Sequence, residues 1–122
     1  MTCEQLEFFN RQLDVWPDVK QRYSTLECVQ RKYIQVDECR YEVVFNPSRA
    51  ASTQASVDKV TIMRRPCFLC ESNRPEIQQA IAPTHYLLRD KYDILVNPFP
   101  IYNYHFTISS RNHQPQSIAG NI

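Results

Sequence analysis

Apolar side chains in the first part of the chain recur at helical steps. Leu6, Phe9, Leu13 and Trp16 lie three or four residues apart, which places them on one face of an amphipathic helix. Pro17, with no backbone N–H to give, closes or kinks that helix. Val19, Tyr23 and Leu26 continue a second helical stripe beyond it. The period then changes. ECVQRKYIQV is rich in β-branched and aromatic residues and starts a sheet. In RYEVVFNP, Tyr41, Val43 and Phe45 alternate with Glu42, Val44 and Asn46, a strand that runs into an Asn-Pro stop.

The second half is more broken. Ser56 followed by Asp58 in SVDKVTIM reads as the capped start of a short helix. PEIQQAI predicts a turn or two of helix, and YDILVNPFP and NYHFTISS predict two strands separated by a proline-broken corner. In the second of these, Tyr104, Phe106 and Ile108 share one face while His105 and Thr107 take the other. A further helix starts within HQPQSIAGNI without completing an amphipathic stripe. There is no internal repeat, low-complexity tract or linker. The pattern predicts an α+β fold, a mostly antiparallel sheet with flanking helices, in one domain spanning residues 1–122. Residues 1–38 supply a helical region and the first strand, and residues 39–122 the remainder.

Composition narrows the class. Hydrophobic residues make up 43% and charged residues 22% of the chain, values of a folded globular domain rather than a disordered one. A net charge of +1 supplies no basic surface for nucleic acid, and no apolar run approaches the roughly 20 residues of a membrane span. MTCEQLEFFN has an acidic residue and none of the basic and apolar order of a secretory signal. Five cysteines, an odd number, suit a reducing compartment, so the expected location is the cytoplasm. The single glycine, Gly120, is far below average usage of about 7%, so either Asn and Pro make the tight turns or a glycine-bearing part is absent.

The chemistry concentrates in PCFLCESNRP, residues 66–75. A C-x2-C pair presents two thiolates from one tight turn, at the separation a tetrahedral zinc requires, with two further ligands still to be found. His85, His105, His113, Cys28 and Cys39 are the available donors. A thioredoxin-like redox pair is disfavoured: it needs its first cysteine at a helix N-terminus, whereas Pro66 precedes Cys67 and ESNRP is a poor helix. Two buried thiols without a metal is the plain alternative. A lone strand histidine such as His105 is more often a packing residue than a ligand, His85 falls in a loop, and His113 stands in a polar loop just past a strand. Arg49 in NPSRAAS could take a phosphate through its planar fork or be a solvated loop residue, and Asn97 in NPFP could simply make a turn.

Taken together, three blocks resemble a known superfamily. PCFLCESNR resembles the zinc knuckle of galactose-1-phosphate uridylyltransferases and the cysteine pair that opens many bacterial histidine-triad proteins. NPFPIYNYHFTISSRNHQPQSI resembles the strand-corner-strand of diadenosine-tetraphosphate phosphorylases and GDP-hexose phosphorylases, and VVFNPSRA is similar to the turn through which the uridylyltransferases reach a nucleotide phosphate. The blocks follow the family order and span roughly residues 40 to 118. The resemblance implies a histidine-triad-like fold of a bacterial branch. It further implies a structural zinc held by Cys67, Cys70 and His113, and nucleotide contacts from Arg49 (phosphate) and Asn97 (ribose or base). His105 matches a family histidine of less uniform role.

One departure stands out. These enzymes attack the α-phosphate with the middle histidine of a His-x-His-x-Gln or His-x-His-x-His segment, forming a covalent nucleotidyl-histidine. The three histidines here are isolated, and no His-x-His occurs. In the family that segment lies beyond the helix beginning near Gln116. The expectation is thus the N-terminal portion of a nucleotidyltransferase or nucleotide-sugar or dinucleotide phosphorylase, cut before its catalytic strand, with no catalytic residue in this chain. A non-enzymatic nucleotide-binding or protein-interaction module on the same scaffold is the alternative. The expected partners are a nucleotide or nucleotide sugar and further copies of the chain in a homo-oligomer, with neither nucleic acid nor membrane. A zinc knuckle for nucleic acid ranks last for want of a basic stripe.

Overall fold

The computed structural model describes residues 1–51 and 66–115 and shows a small α+β fold. The helices predicted to start at Ser56 and near Gln116 lie outside the described residues.

Helix α1 (Cys3–Val15) begins with a full capping box: Gln5 N–H donates to Thr2 Oγ1 and the Thr2 N–H donates to Gln5 Oε1. Helix α2 (Pro17–Thr25) follows at once, with Pro17 at its first position, where the missing N–H costs nothing. Its stripe is as predicted, Val19 and Tyr23 being buried and Leu26 buried in the 3-10 turn that follows. The stripe of α1 is rotated from the expected one. Phe8, Phe9 and Gln12 are its buried residues, while Leu6, Leu13 and Trp16 are only half-buried. A buried glutamine is invisible to a hydrophobic periodicity, and it displaces the face by about one residue.

Strands β1 (Gln30–Val36) and β2 (Cys39–Phe45) form an antiparallel hairpin, closed at Asp37-Glu38, where Asp37 adopts the left-handed region at φ 51° that a glycine would otherwise serve. A second, three-stranded antiparallel sheet has the order β3 (Ala80–Ile81), β4 (Tyr92–Val96), β5 (Phe106–Ser110). Strand β4 is covered on both faces, and Ile94, Leu95 and Val96 are buried in succession. Full burial of each such side chain contributes about 1.5–3 kcal/mol, so this strand is the centre of the fold. Val96 joins Phe8, Phe9, Val19, Tyr23 and Leu26 in one core, flanked by Ile81 and Phe106.

Two predicted elements come out differently. PEIQQAI is not helical: it forms a turn and then β3, because long-range partners take its backbone. Gln12, fully buried, donates from Nε2 to the Ile77 carbonyl at 2.8 Å and accepts from the Gln79 N–H at 2.6 Å. Ala80 and Ile81 pair with Leu95 and Ile94. In NYHFTISS the strand starts only at Phe106. Tyr104 has φ 56° and belongs to the corner, its ring 5.0 Å from that of Phe9.

The corner between β4 and β5 is fastened to α2. Tyr23 Oη lies 2.9 Å from both the Asn97 and the His105 carbonyl, and Phe9 meets the Tyr23 ring edge-on at 4.9 Å. Burial pushes the Tyr23 phenol above its ordinary range, so it stays protonated and donates. Arg22 donates to the Pro98 carbonyl at 2.9 Å and lies over the Phe99 ring at 4.4 Å. Among the described residues, no helix is long and apolar enough to cross a membrane.

Replacing Tyr23 by Phe leaves the ring in place but removes the shared donor from two carbonyls. We expect Tyr23→Phe to cost about 1–2 kcal/mol, read as a lower urea midpoint at unchanged slope. An unchanged midpoint would show that the corner is held without this hydroxyl.

Candidate metal centre

The turn 67–70 is built by its own backbone. Cys70 N–H donates to the Cys67 carbonyl at 3.2 Å, and the N–H groups of Asn73 and Arg74 return to the Cys70 carbonyl at 2.9 and 3.1 Å. The Asn73 side chain adds a bond to the Cys67 carbonyl at 3.0 Å. This brings both sulfurs to one side of the turn, half-buried. The third donor arrives from the far end of the sheet. His113 lies three residues past β5, and its Nδ1 is 3.2 Å from Cys70 Sγ, although the two residues are 43 apart in sequence. All three donor atoms of Cys67, Cys70 and His113 fall within 4.8 Å of one another.

A carboxylate aligns the two approaches. Asp93 on β4 accepts from Arg74, four residues beyond Cys70, at 3.3 Å, and from Arg111, two residues before His113, at 2.9 Å. Arg74 and Asp93 are almost fully buried, with side-chain exposures of 7% and 14%, so this pair is held by geometry rather than by solvent. Arg111 N–H also bonds the Lys91 carbonyl at 2.9 Å, which fixes the start of the loop that carries His113.

The thiols are electronically unequal. Partial burial pushes the Cys67 thiol up, but the N–H groups of Leu69 and Cys70 and the Cys70 thiol favour its anion and bring it below the ordinary thiol range. Cys70, which donates to Cys67, is pushed up by that same hydrogen bond. The cluster thus sets two thiols, of which Cys67 ionises the more readily, beside an imidazole. That donor set suits a borderline-soft divalent ion, since Zn–S and Zn–N bonds of about 2.3 and 2.0 Å leave ligand atoms about 3.5 Å apart around a tetrahedral centre. The other candidates are elsewhere. His85 is exposed and stacks on Tyr86, and neither it nor Cys28 or Cys39 joins the cluster.

Arg49 and Asn97 meet at the corner rather than at the cysteines. Asn97 Oδ1 accepts from the Phe99 N–H at 2.8 Å and its Nδ2 reaches Thr107 Oγ1 at 3.1 Å, an Asx-type turn that engages the side chain at both ends. Arg49, in the 3-10 turn Pro47–Ala51, donates to the Phe99 carbonyl. One face of Asn97 nonetheless borders a cavity of about 290 Å³, whose walls include Trp16, Asp18, Arg22, Phe68 and Leu69; Arg49 is not among its lining residues. The cavity thus touches the cysteine turn itself, through the two residues between Cys67 and Cys70. Trp16 enters the sequence pattern only as a helix residue, and Asp18 and Arg22 do not stand out in it. The one advance signal was the spacing of Asp18 and Arg22, four apart on one helix face.

His105 fills the corner from the inside of the turn. Its Nδ1 faces the Ile101 N–H at 3.4 Å and its ring lies 4.4 Å from that of Tyr102. Burial, with the Arg49 guanidinium adding repulsion, holds this imidazole below its ordinary value of 6.5.

An α+β domain in which a C-x2-C turn faces a distant histidine is the class that fold and site define. The chain belongs to the DUF4922 family, a domain of unknown function whose family model matches residues 8–122. Comparison with curated proteins and with solved structures found no match.

The low His105 value carries a sign that can be measured. The unfolded chain takes up this proton first as pH falls, so stability is complete above about 6.5 and is lost below it, down through the lower folded value. His105→Asn keeps an acceptor for the Ile101 N–H but cannot titrate. Its urea midpoint should fall less than that of the wild type between about pH 7 and pH 5, and identical slopes would exclude His105 as a source of the acid sensitivity.

Proposed function

We propose that this chain is the nucleotide-binding, zinc-bearing portion of a histidine-triad-like nucleotidyltransferase or nucleotide-sugar or dinucleotide phosphorylase. The observation that carries the reading is the convergence of Cys67, Cys70 and His113, from opposite ends of the second half of the chain, on a volume that fits one ion. Those three residues would supply three of the four ligands of a structural zinc. Its contribution is to lock the cysteine turn against the β5 exit, with no part in bond making. Arg49 has several N–H donors beyond the one given to Phe99, and these would take a nucleotide phosphate. Asn97, at the cavity wall, would face the ribose or base. Five free thiols suit a reducing cytoplasm, where the protein would work.

One observation favours a second reading. Both ends of the Asn97 side chain are already bonded within the corner, as in a residue whose role is to shape the turn. On that reading the scaffold is a non-enzymatic nucleotide-binding or protein-interaction module that keeps the same metal.

Metal analysis tests what the two readings share. Purified protein should carry about one zinc per chain, and Cys67→Ser or His113→Ala should lower that occupancy well below one half; removal by chelator should lower the melting temperature by about 10 °C or more. Zinc well under one per chain with no chelator effect removes the knuckle.

Ligand screening then tests the nucleotide. A nucleoside diphosphate sugar or dinucleoside polyphosphate at 100 times its dissociation constant should stabilise the native state by about 2.7 kcal/mol, visible as a thermal shift. Arg49→Lys, which keeps charge but loses the fork, should weaken that binding about tenfold. No shift with any of these ligands would leave only the interaction-module reading.

A further inference from the structure

The β1–β2 hairpin carries two unlike faces. On one, Arg31 pairs with Glu42 at 2.7 Å and Arg40 lies over the Tyr33 ring at 4.1 Å, each bridging the strands diagonally. That face satisfies its own charges. The register puts Ile34 opposite Tyr41, Val36 opposite Cys39, Lys32 opposite Val43 and Gln30 opposite Phe45 on the other. It is an apolar stripe with one charge, and Lys32 has a stem long enough to carry its ammonium to the margin. Every residue of both strands is exposed, and Ile34, Val36, Tyr41, Val43 and Phe45 keep 41%, 50%, 53%, 48% and 64% of their surface. A two-stranded hairpin left open on its apolar face is at best marginally stable in water.

At the hairpin's base the stripe runs into a groove. Gln30 and Phe45, its last pair, also line a depression of about 340 Å³ with Val29, Pro47 and Cys28. The opposite end, at Val36 and Cys39, is an apolar tip. We propose that this face is the contact surface of a two-fold homodimer, in which the hairpins stack apolar face to apolar face in opposite directions and each tip seats in the other's basal groove.

Two considerations select a second copy of the chain as occupant. A two-fold axis through the middle of the stripe, near Ile34 and Tyr41, lays tip on groove at both ends at once, the self-complementary arrangement such an interface needs. The area also suffices: with about 150–250 Å² for a large apolar side chain, the stated exposures leave roughly 500 Å² per copy. Two copies would then bury about 1,000 Å², the floor for a specific interface, before the grooves are counted. The outward polar face, with Arg31 paired to Glu42 and Arg40 lying over Tyr33, would remain in solvent.

Sedimentation equilibrium of the 122-residue chain tests this. The wild type should be a dimer at about 50 µM, while Ile34→Glu or Tyr41→Glu should be monomeric, and Val44→Glu, on the polar face, should remain dimeric. Circular dichroism establishes that each variant is folded. Should the stripe variants not fold, hydrogen exchange of wild-type residues 30–45 gives the answer directly, because their protection should rise with protein concentration. A wild-type monomer at that concentration, protection that does not depend on concentration, or a dimer that survives the stripe substitutions would overturn the proposal.

Discussion

The tertiary structure hangs on how a proline-broken corner is held. Between β4 and β5 the chain reverses through Asn97, Pro98, Phe99 and Pro100, two of which have no N–H to give to a turn. Tyr23 supplies the missing donor from outside, its hydroxyl shared between the carbonyls on the two sides of the corner. Arg22 takes the Pro98 carbonyl, Arg49 the Phe99 carbonyl, and the Asn46 side chain the Pro100 carbonyl at 3.1 Å. Four successive carbonyls are thus satisfied by side chains from far upstream. In a chain with one glycine, long-range side-chain donors do the work that flexible backbone does elsewhere.

This fastening explains why the N-terminal helices belong to the same unit as the cysteine turn. Gln12 clamps the segment 77–79, which feeds β3, while Tyr23 and Arg22 clamp the corner that feeds β5. Strand β4 runs between them, and its Asp93 takes hold of Arg74 and Arg111. Cys70 and His113 lie just outside those two arginines. The separation of sulfur and imidazole is therefore set by a buried ionic bridge on the central strand, itself positioned by two helices at the other face. The cluster of Cys67, Cys70 and His113 is the outermost consequence of core packing rather than a free-standing loop.

The two sheets divide the labour. The three-stranded sheet has its central strand buried on both faces. The hairpin touches the rest mainly at its base, through Asn46 and Arg49 at the corner, and projects with both faces exposed. Arg31, Arg40 and Glu42 lie on one side, and most of its apolar side chains, with Lys32, on the other. Such segregation costs stability in an isolated hairpin.

What the sequence determined by itself are the features carried by local rules. The two helices, with the break at Trp16-Pro17, the hairpin strands and β4 follow from periodicity and from proline's missing donor, and the C-x2-C turn is readable because four residues suffice to close it. Tertiary structure decided everything that depends on distant partners. PEIQQAI has helical composition, yet Gln12 and β4 claim its backbone and make it a turn and a strand. Gln12 itself, a polar residue fully buried by bonds to residues more than sixty positions away, has no signature in a hydrophobic pattern. His113 stood among several candidate histidines until the folded chain set its ring beside Cys70. Arg49 and Asn97, two isolated signals in sequence, became neighbours through the Phe99 peptide. The division has one cause: hydrogen bonds and burial within a few residues are encoded by type and spacing, whereas a site assembled across forty residues exists only after the core has fixed where the chain returns.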